Sequence, residues 1–162
     1  MRLAILSLVF LVQAGAALGA QAVRPATAIL SYDLAGARLE MTPADALAAL
    51  RAGGFEQVSW SGEAEAPRFW RYSLGETTVE VSQAEGVITS IRYTRRSGEG
   101  RRLDVAAELA AIKADFGLGA EDCLEKLPQA AVCRVVDGEP PKLSLTAEIL
   151  GGFMVVQAGR LP

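Results

Sequence analysis

Between Phe69 and Arg96 the chain, FWRYSLGETTVEVSQAEGVITSIRYTRR, alternates with a period of two in three successive runs. Trp70, Tyr72 and Leu74 alternate with Arg71 and Ser73. Val79 and Val81 alternate with Glu80 and Ser82. Val87, Thr89, Ile91 and Tyr93 alternate with Ile88, Ser90, Arg92 and Thr94. Successive side chains of a strand point to opposite faces, so each set belongs on one face of a pleated sheet. Gly75-Glu76 and Ala84-Glu85-Gly86 interrupt the alternation over lengths that suit hairpin turns. Any fold for this chain has to accommodate that meander.

The flanking segments supply two helices and more strands. Thr42 is a good N-cap, Pro43 fits the first helical position, and Asp45 stands three residues after the cap, near the positive end of the helix dipole. Ala46, Leu47, Ala49 and Leu50 give this helix an apolar stripe, and Gly53-Gly54 ends it. In the second helix, Asp104 is the cap. Val105, Leu109, Ile112 and Phe116 fall at i, i+4, i+7 and i+11, and Gly117-Leu118 reads as a Schellman end. Ile29–Leu39 reads as a brief strand interrupted by Gly36. Phe55 onward (FEQVSW) reads as the first strand of the sheet, and Ala120–Leu127 as further helical turns ended by Pro128. Val132–Val136 reads as a strand and Asp137–Pro141 as a turn. Leu143–Ile149 and Phe153–Ala158 form a hairpin around Leu150-Gly151-Gly152. Antiparallel strands joined by tight turns, rather than strict βαβ alternation, predict an α+β fold with helices packed on one face of an antiparallel sheet. Residues 29–96 and 102–160 read as two diverged helix-plus-meander repeats.

The N-terminus reads as an export signal. Arg2 supplies the positive start, Leu3–Val12 the apolar run, and Ala20-Gln21-Ala22 an Ala-x-Ala cleavage site, with a cut after Gly19 as the alternative. The apolar run is short for a bilayer of roughly 30 Å, and no cysteine follows it as a lipid-attachment residue. The expectation is a signal peptide over residues 1–22 and a single domain over residues 23–162, long enough for its own core. Ala-rich, Arg-over-Lys usage fits a GC-rich bacterial genome, so the expected location is periplasmic or secreted, with no membrane anchor. A net charge of -3 gives no global field for nucleic acid or anionic lipid. Cys123 and Cys133 would form a disulfide in an oxidising compartment. Their spacing is not Cys-x-x-Cys.

Catalytic chemistry finds little foothold. The chain has no histidine, which excludes Ser-His-Asp and Cys-His catalysis and histidine zinc sites. Gly-x-Ser-x-Gly, Ser-x-x-Lys, a phosphate-binding Gly-Lys-Ser/Thr loop and an Asp-rich calcium loop are all missing. The carboxylate sets Glu63/Glu65 and Glu121/Asp122/Glu125 could in principle act as acid and base, but they fall in segments that read as exposed. The expectation is a non-enzymatic protein with no cofactor and no metal. Arg92, Arg95, Arg96, Arg101 and Arg102 surround Ser97–Gly100, offset in that span only by Glu99. They read either as a solvated strand end and loop or as an anion-facing or partner-facing patch, because guanidinium forks pair well with carboxylate and phosphate, and Tyr, Trp and Arg are enriched at binding hot spots. Together with Arg71 and Tyr72 these arginines form the candidate partner surface. The alternative is a small-ligand or envelope-polymer site in a groove between helices and sheet.

Three stretches resemble known families. Gly36–Pro43 (GARLEMTP), followed by an Ala/Leu helix ending in Gly, is similar to the opening of SmpA/OmlA-type modules and of the related β-lactamase-inhibitor-protein-like fold. Trp70-Arg71-Tyr72 with the Val87–Tyr93 hairpin strand resembles their W-x-Y strand and following hairpin. Ala111–Leu118 (AIKADFGL) is similar to the helix end that opens a second copy. Gly53-Gly54-Phe55 stands where those modules carry Leu-Gly-x-Pro, and the lipid-attachment cysteine of their outer-membrane members is missing. The Gly-Phe after the first helix also looks like PepSY-type periplasmic modules. Both resemblances imply small exported binding or inhibitory domains rather than enzymes.

Overall fold

The computed structural model describes residues 26–63, 66–137 and 142–161. The predicted signal peptide, Glu65 and most of the Asp137–Pro141 turn lie outside them. Eight strands form one antiparallel sheet: β1 Glu56–Glu63, β2 Ala66–Leu74, β3 Thr77–Ala84, β4 Val87–Arg96, β5 Cys123–Lys126, β6 Ala130–Asp137, β7 Leu143–Leu150 and β8 Phe153–Arg160. Their spatial order is β1-β2-β3-β4-β8-β7-β6-β5. Two four-stranded meanders therefore meet at their last strands. In that seam Tyr93 faces Val156 and Ile91 faces Ala158. An antiparallel pair has a two-fold axis normal to the sheet, and the two meanders are arranged about it.

The expected α+β arrangement, with helices packed on one sheet face, is overturned. Of the described residues 49% are strand and 23% helix, and the molecule is mostly sheet. The helices α1 Ala26–Leu30, α2 Pro43–Ala52 and α3 Val105–Phe116 are short. The twelve residues of α3 rise about 18 Å, whereas eight strands span about 34 Å, so these helices cannot form a layer of matching size. Irregular chain shares the cover: Leu34, Ala37 and Leu39 are buried beside Ile29 of α1, Leu47 and Leu50 of α2, and the apolar stripe of α3. Beneath them lie Trp70, Tyr72, Val79, Val81, Ile88 and Ile91 from the first meander, and Val135, Leu145, Ala147, Ile149, Val156 and Ala158 from the second.

Both helix starts follow their sequence signals. The Asp45 N–H donates to Thr42 Oγ1 at 3.2 Å, and the Thr42 hydroxyl donates to Asp45 Oδ2 at 2.7 Å. Asp104 Oδ1 accepts from the N–H groups of Ala106 and Ala107, both at 3.1 Å. Gly117 takes the left-handed conformation at φ 59°, and the Leu118 N–H returns to the Lys113 carbonyl at 3.0 Å.

Three local expectations change. Ile29–Leu39 is not a strand. Its first residues complete α1, and Leu34 and Ala37 then bridge across a tight turn in which Ala35 and Gly36 have φ of 61° and 93°. Ala120–Leu127 gives only a 3-10 turn, Ala120–Asp122, before β5 begins. Cys123 and Cys133 stand directly opposite one another and are bonded, so the disulfide ties β5 to β6 rather than a helix to a strand. Finally, a bulge in the β3–β4 pairing, where Gln83 faces Ile88 but Ser82 faces Ser90, breaks the alternation of β4. An extra residue flips the facing of what precedes it. Ile88 and Ile91 are both buried, and Val87 is exposed.

Candidate functional site

The face of the sheet opposite the core presents its side chains in cross-strand rows. One row runs Arg71–Glu80–Arg92–Gln157–Thr146–Arg134, each residue directly opposite the next. The neighbouring row runs Ser73–Thr78–Thr94–Val155–Glu148–Val132–Leu124. The half built from the first meander is mostly polar, with Phe69 against Arg71. The half built from the second is mixed, with Leu124, Val132 and Val136 exposed at 64%, 43% and 43%. Leu124 and Val132 are cross-strand neighbours there, and Arg134 stands between Val132 and Val136.

The predicted partner residues are divided by the sheet. Arg71, Arg92 and Arg96 share the open face. Tyr72 does not: it is fully buried on the core side, its hydroxyl donating to Gln57 Oε1 at 3.0 Å and the Arg51 guanidinium 5.9 Å from its ring centre. The W-R-Y alternation separates Arg71 from Tyr72 by one residue, and one residue is a change of face. Arg95 also points to the core side, where it pairs with Glu108 of α3. Arg160, at the other end of the β4–β8 seam, has a comparable structural role. Its Nε donates to the Ile88 carbonyl at 3.1 Å and an Nη to the Leu39 carbonyl at 3.2 Å.

Arg71 is tethered on the open face, with an Nη 2.6 Å from Glu80 Oε1 and the guanidinium 5.6 Å from the Phe69 ring centre. Arg92 and Arg96 have no ion-pair or hydrogen-bond partner for their side chains among the described residues. With Thr94, Gly152, Phe153 and Val155 they line a groove of about 300 Å³. Arg101 and Arg102, equally unpartnered among the described residues, line a cleft of about 710 Å³ with Leu103, Pro128, Gln129, Gly151 and Gly152. Gly152 lines both, so four guanidinium groups follow one strip that turns from the open face around the end of the sheet. The loop carrying Arg101 and Arg102 is fastened there by backbone bonds from Ser97 to Gly152, at 3.0 Å, and from Leu103 to Gly151, at 2.9 Å.

None of the carboxylate candidates is among the described lining residues of the groove or the cleft. Asp122 accepts from the Gly119 N–H at 3.0 Å, and Glu125 pairs with Lys113 of α3. Glu65 lies outside the described residues. The participation of Arg134, Thr146, Gln157 and the exposed apolar residues was missed in sequence. The signal for it was present in the alternation Val132-Cys133-Arg134-Val135-Val136, but it acquires meaning only once the pairing register is known.

On the core side a third concavity, of about 340 Å³, is lined by Tyr32, Asp33, Leu34, Ala35, Phe55, Thr77, Tyr93, Met154 and Val156. The Tyr32 hydroxyl donates to Asp115 Oδ2 at 3.4 Å, and its ring lies 4.5 Å from that of Phe116. Burial, and then the negative charge of Asp115, push its phenol up to about 12. No helix among the described residues is long and apolar enough to cross a membrane. Comparison of the chain with protein-family models, curated proteins and solved structures returns no match.

Proposed function

We propose that this is an exported, non-enzymatic binding module that docks another protein of the bacterial envelope against the open face of its sheet, as an inhibitor or an assembly accessory. The observation that carries the reading is the pairing, on one eight-stranded face, of Arg92 and Arg96, unpartnered among the described residues, with exposed apolar side chains. The chain as a whole is mildly acidic, with net charge -3, so this arginine strip is a local reversal of sign. Local charge of that kind steers and selects an oppositely charged partner. The partner is therefore an acidic surface with an apolar flank, facing the β5–β6 edge of the sheet. In plan the face measures on the order of 900 Å², comparable to the roughly 800 Å² per partner of a standard interface. The resemblance to SmpA/OmlA-type and inhibitor-like modules, small exported binding domains, points the same way.

The test compares the wild-type chain with Arg92→Glu/Arg96→Glu in co-purification from the periplasm of the native host. The reading expects one dominant acidic envelope protein whose recovery falls at least about tenfold in the variant, at unchanged melting temperature. Equal recovery by both proteins would count against it.

A further inference from the structure

The concavity on the core side of the sheet is separate from the open face, and its chemistry differs. Tyr93 of β4 and Met154 and Val156 of β8 line it from the seam between the two meanders, Thr77 lines it from β3, and Phe55 from the chain after α2. The remaining wall is the tight turn from Tyr32 to Ala35. That turn is firmly built. Leu34 and Ala37 exchange backbone hydrogen bonds at 2.9 and 3.3 Å, and the Gly36 N–H donates to Asp33 Oδ1 at 2.6 Å. Ala35, a lining residue, is held at φ 61°, a conformation that L-residues avoid and that persists only where the surroundings enforce it.

Three aromatic residues, Tyr32, Phe55 and Tyr93, line the cavity together with four aliphatic or thioether side chains and a single carboxylate, Asp33. Asp115 stands behind Tyr32 and adds a second negative charge. Among the described residues no basic residue lines the cavity; Arg95, which faces Thr77 across the β3–β4 pair, is ion-paired with Glu108, and Lys113 with Glu125. The site is thus apolar, aromatic and electronegative. Aromatic faces beside a carboxylate are the recognition chemistry of alkylated ammonium groups. Its volume is at the small end of ligand pockets, which run from roughly 300 to 1,000 Å³.

We propose that this cavity binds a small organic cation, an ammonium group on a compact apolar body, with the charge against Asp33 and the tyrosine rings and the body against Met154 and Val156. This goes beyond the protein-docking reading and does not depend on it, because the two sites lie on opposite faces of the sheet.

The test is ligand titration by NMR, following the Met154 methyl and the Tyr93 ring, with choline, tetramethylammonium and n-butylammonium as probes. The neutral carbon isostere of choline, 3,3-dimethylbutan-1-ol, is the control. The proposal expects saturable shifts at those two residues, at least about tenfold weaker binding of the neutral isostere, and weakening by Asp33→Asn. The asparagine still accepts from Gly36, so the turn is kept while the charge goes. Equal affinity for choline and its isostere would overturn the proposal by showing an unselective apolar pocket. So would the absence of shifts at Met154 and Tyr93 with all three cations in the millimolar range.

Discussion

Arg92, Arg95 and Arg96 are close in sequence, yet the sheet gives them different work. Arg95 is half-buried against Glu108 and holds α3 to β4, whereas Arg92 and Arg96 stand on the open face without a partner among the described residues. Substituting Arg95 by Ala is expected to reduce stability by about 1 kcal/mol, the upper end for partly exposed ion pairs. Arg92→Glu and Arg96→Glu are expected to stay within about 0.5 kcal/mol of wild type. Urea denaturation of the three variants checks this, and the reverse order would show that the arginines have been assigned to the wrong faces. Tyr32 gives a second residue-level outcome. Its phenol is held up to about 12 in the folded chain, against an ordinary value of about 10. The folded state therefore keeps a proton that the unfolded state loses, and stability falls as pH rises from about 10 through 12. Tyr32→Phe should flatten that fall, as read by thermal melts across the range. None of this was legible from residue type, because a run of five arginines says nothing of facing until register is fixed.

At the scale of single elements, what sequence could and could not convey has a physical pattern. The helix caps at Thr42 and Asp104 and the left-handed Gly117 are local devices, complete within a few residues, and they were readable. The Ile29–Leu39 segment misled because its apolar residues fit a strand, while its conformation is decided by Asp33 taking the Gly36 N–H and by tertiary burial of Leu34 and Leu39. The bulge in β3–β4 likewise depends on pairing rather than composition, and so Val87–Tyr93 looked like one uninterrupted alternation. Two predictions belong here. Ala35→Gly should stabilise by about 0.5–1 kcal/mol, since glycine carries no penalty at positive φ, and Gly36→Ala should destabilise by about 1–2 kcal/mol. At Gly36 an added Cβ would meet Ala49 Cβ at an ordinary 3.6 Å, so its loss is conformational rather than steric. Replacing Cys123 and Cys133 by Ser should cost about 2–3 kcal/mol on the chain-entropy account, and β5, a four-residue edge strand, should be the first to lose hydrogen-exchange protection.

For the whole molecule, the joining of two meanders at β4–β8 decides how it behaves. Both tryptophans, Trp60 and Trp70, belong to the first meander, so their fluorescence reports on that half while far-UV circular dichroism reports on the entire sheet. Because core residues from both halves pack in one cluster across the seam, the two denaturation curves should coincide. The meanders were visible as alternation in sequence. The width of the sheet was not, because the adjacency of β4 and β8 is a long-range pairing that no local pattern encodes. Hence helices that looked sufficient to cover one face proved too short for it, and the open face came into view only with the eight-strand order. That face is the centre of the functional reading, and the most direct test is positional. A photo-crosslinking residue is placed at Thr146 or Gln157, in the middle of the open face, and at exposed Ala48 on α2, in protein expressed in the native host. The reading predicts one discrete protein adduct from Thr146 and Gln157, lost when Arg92 and Arg96 become Glu, and none from Ala48. An adduct from Ala48 with no product at either open-face position would contradict it.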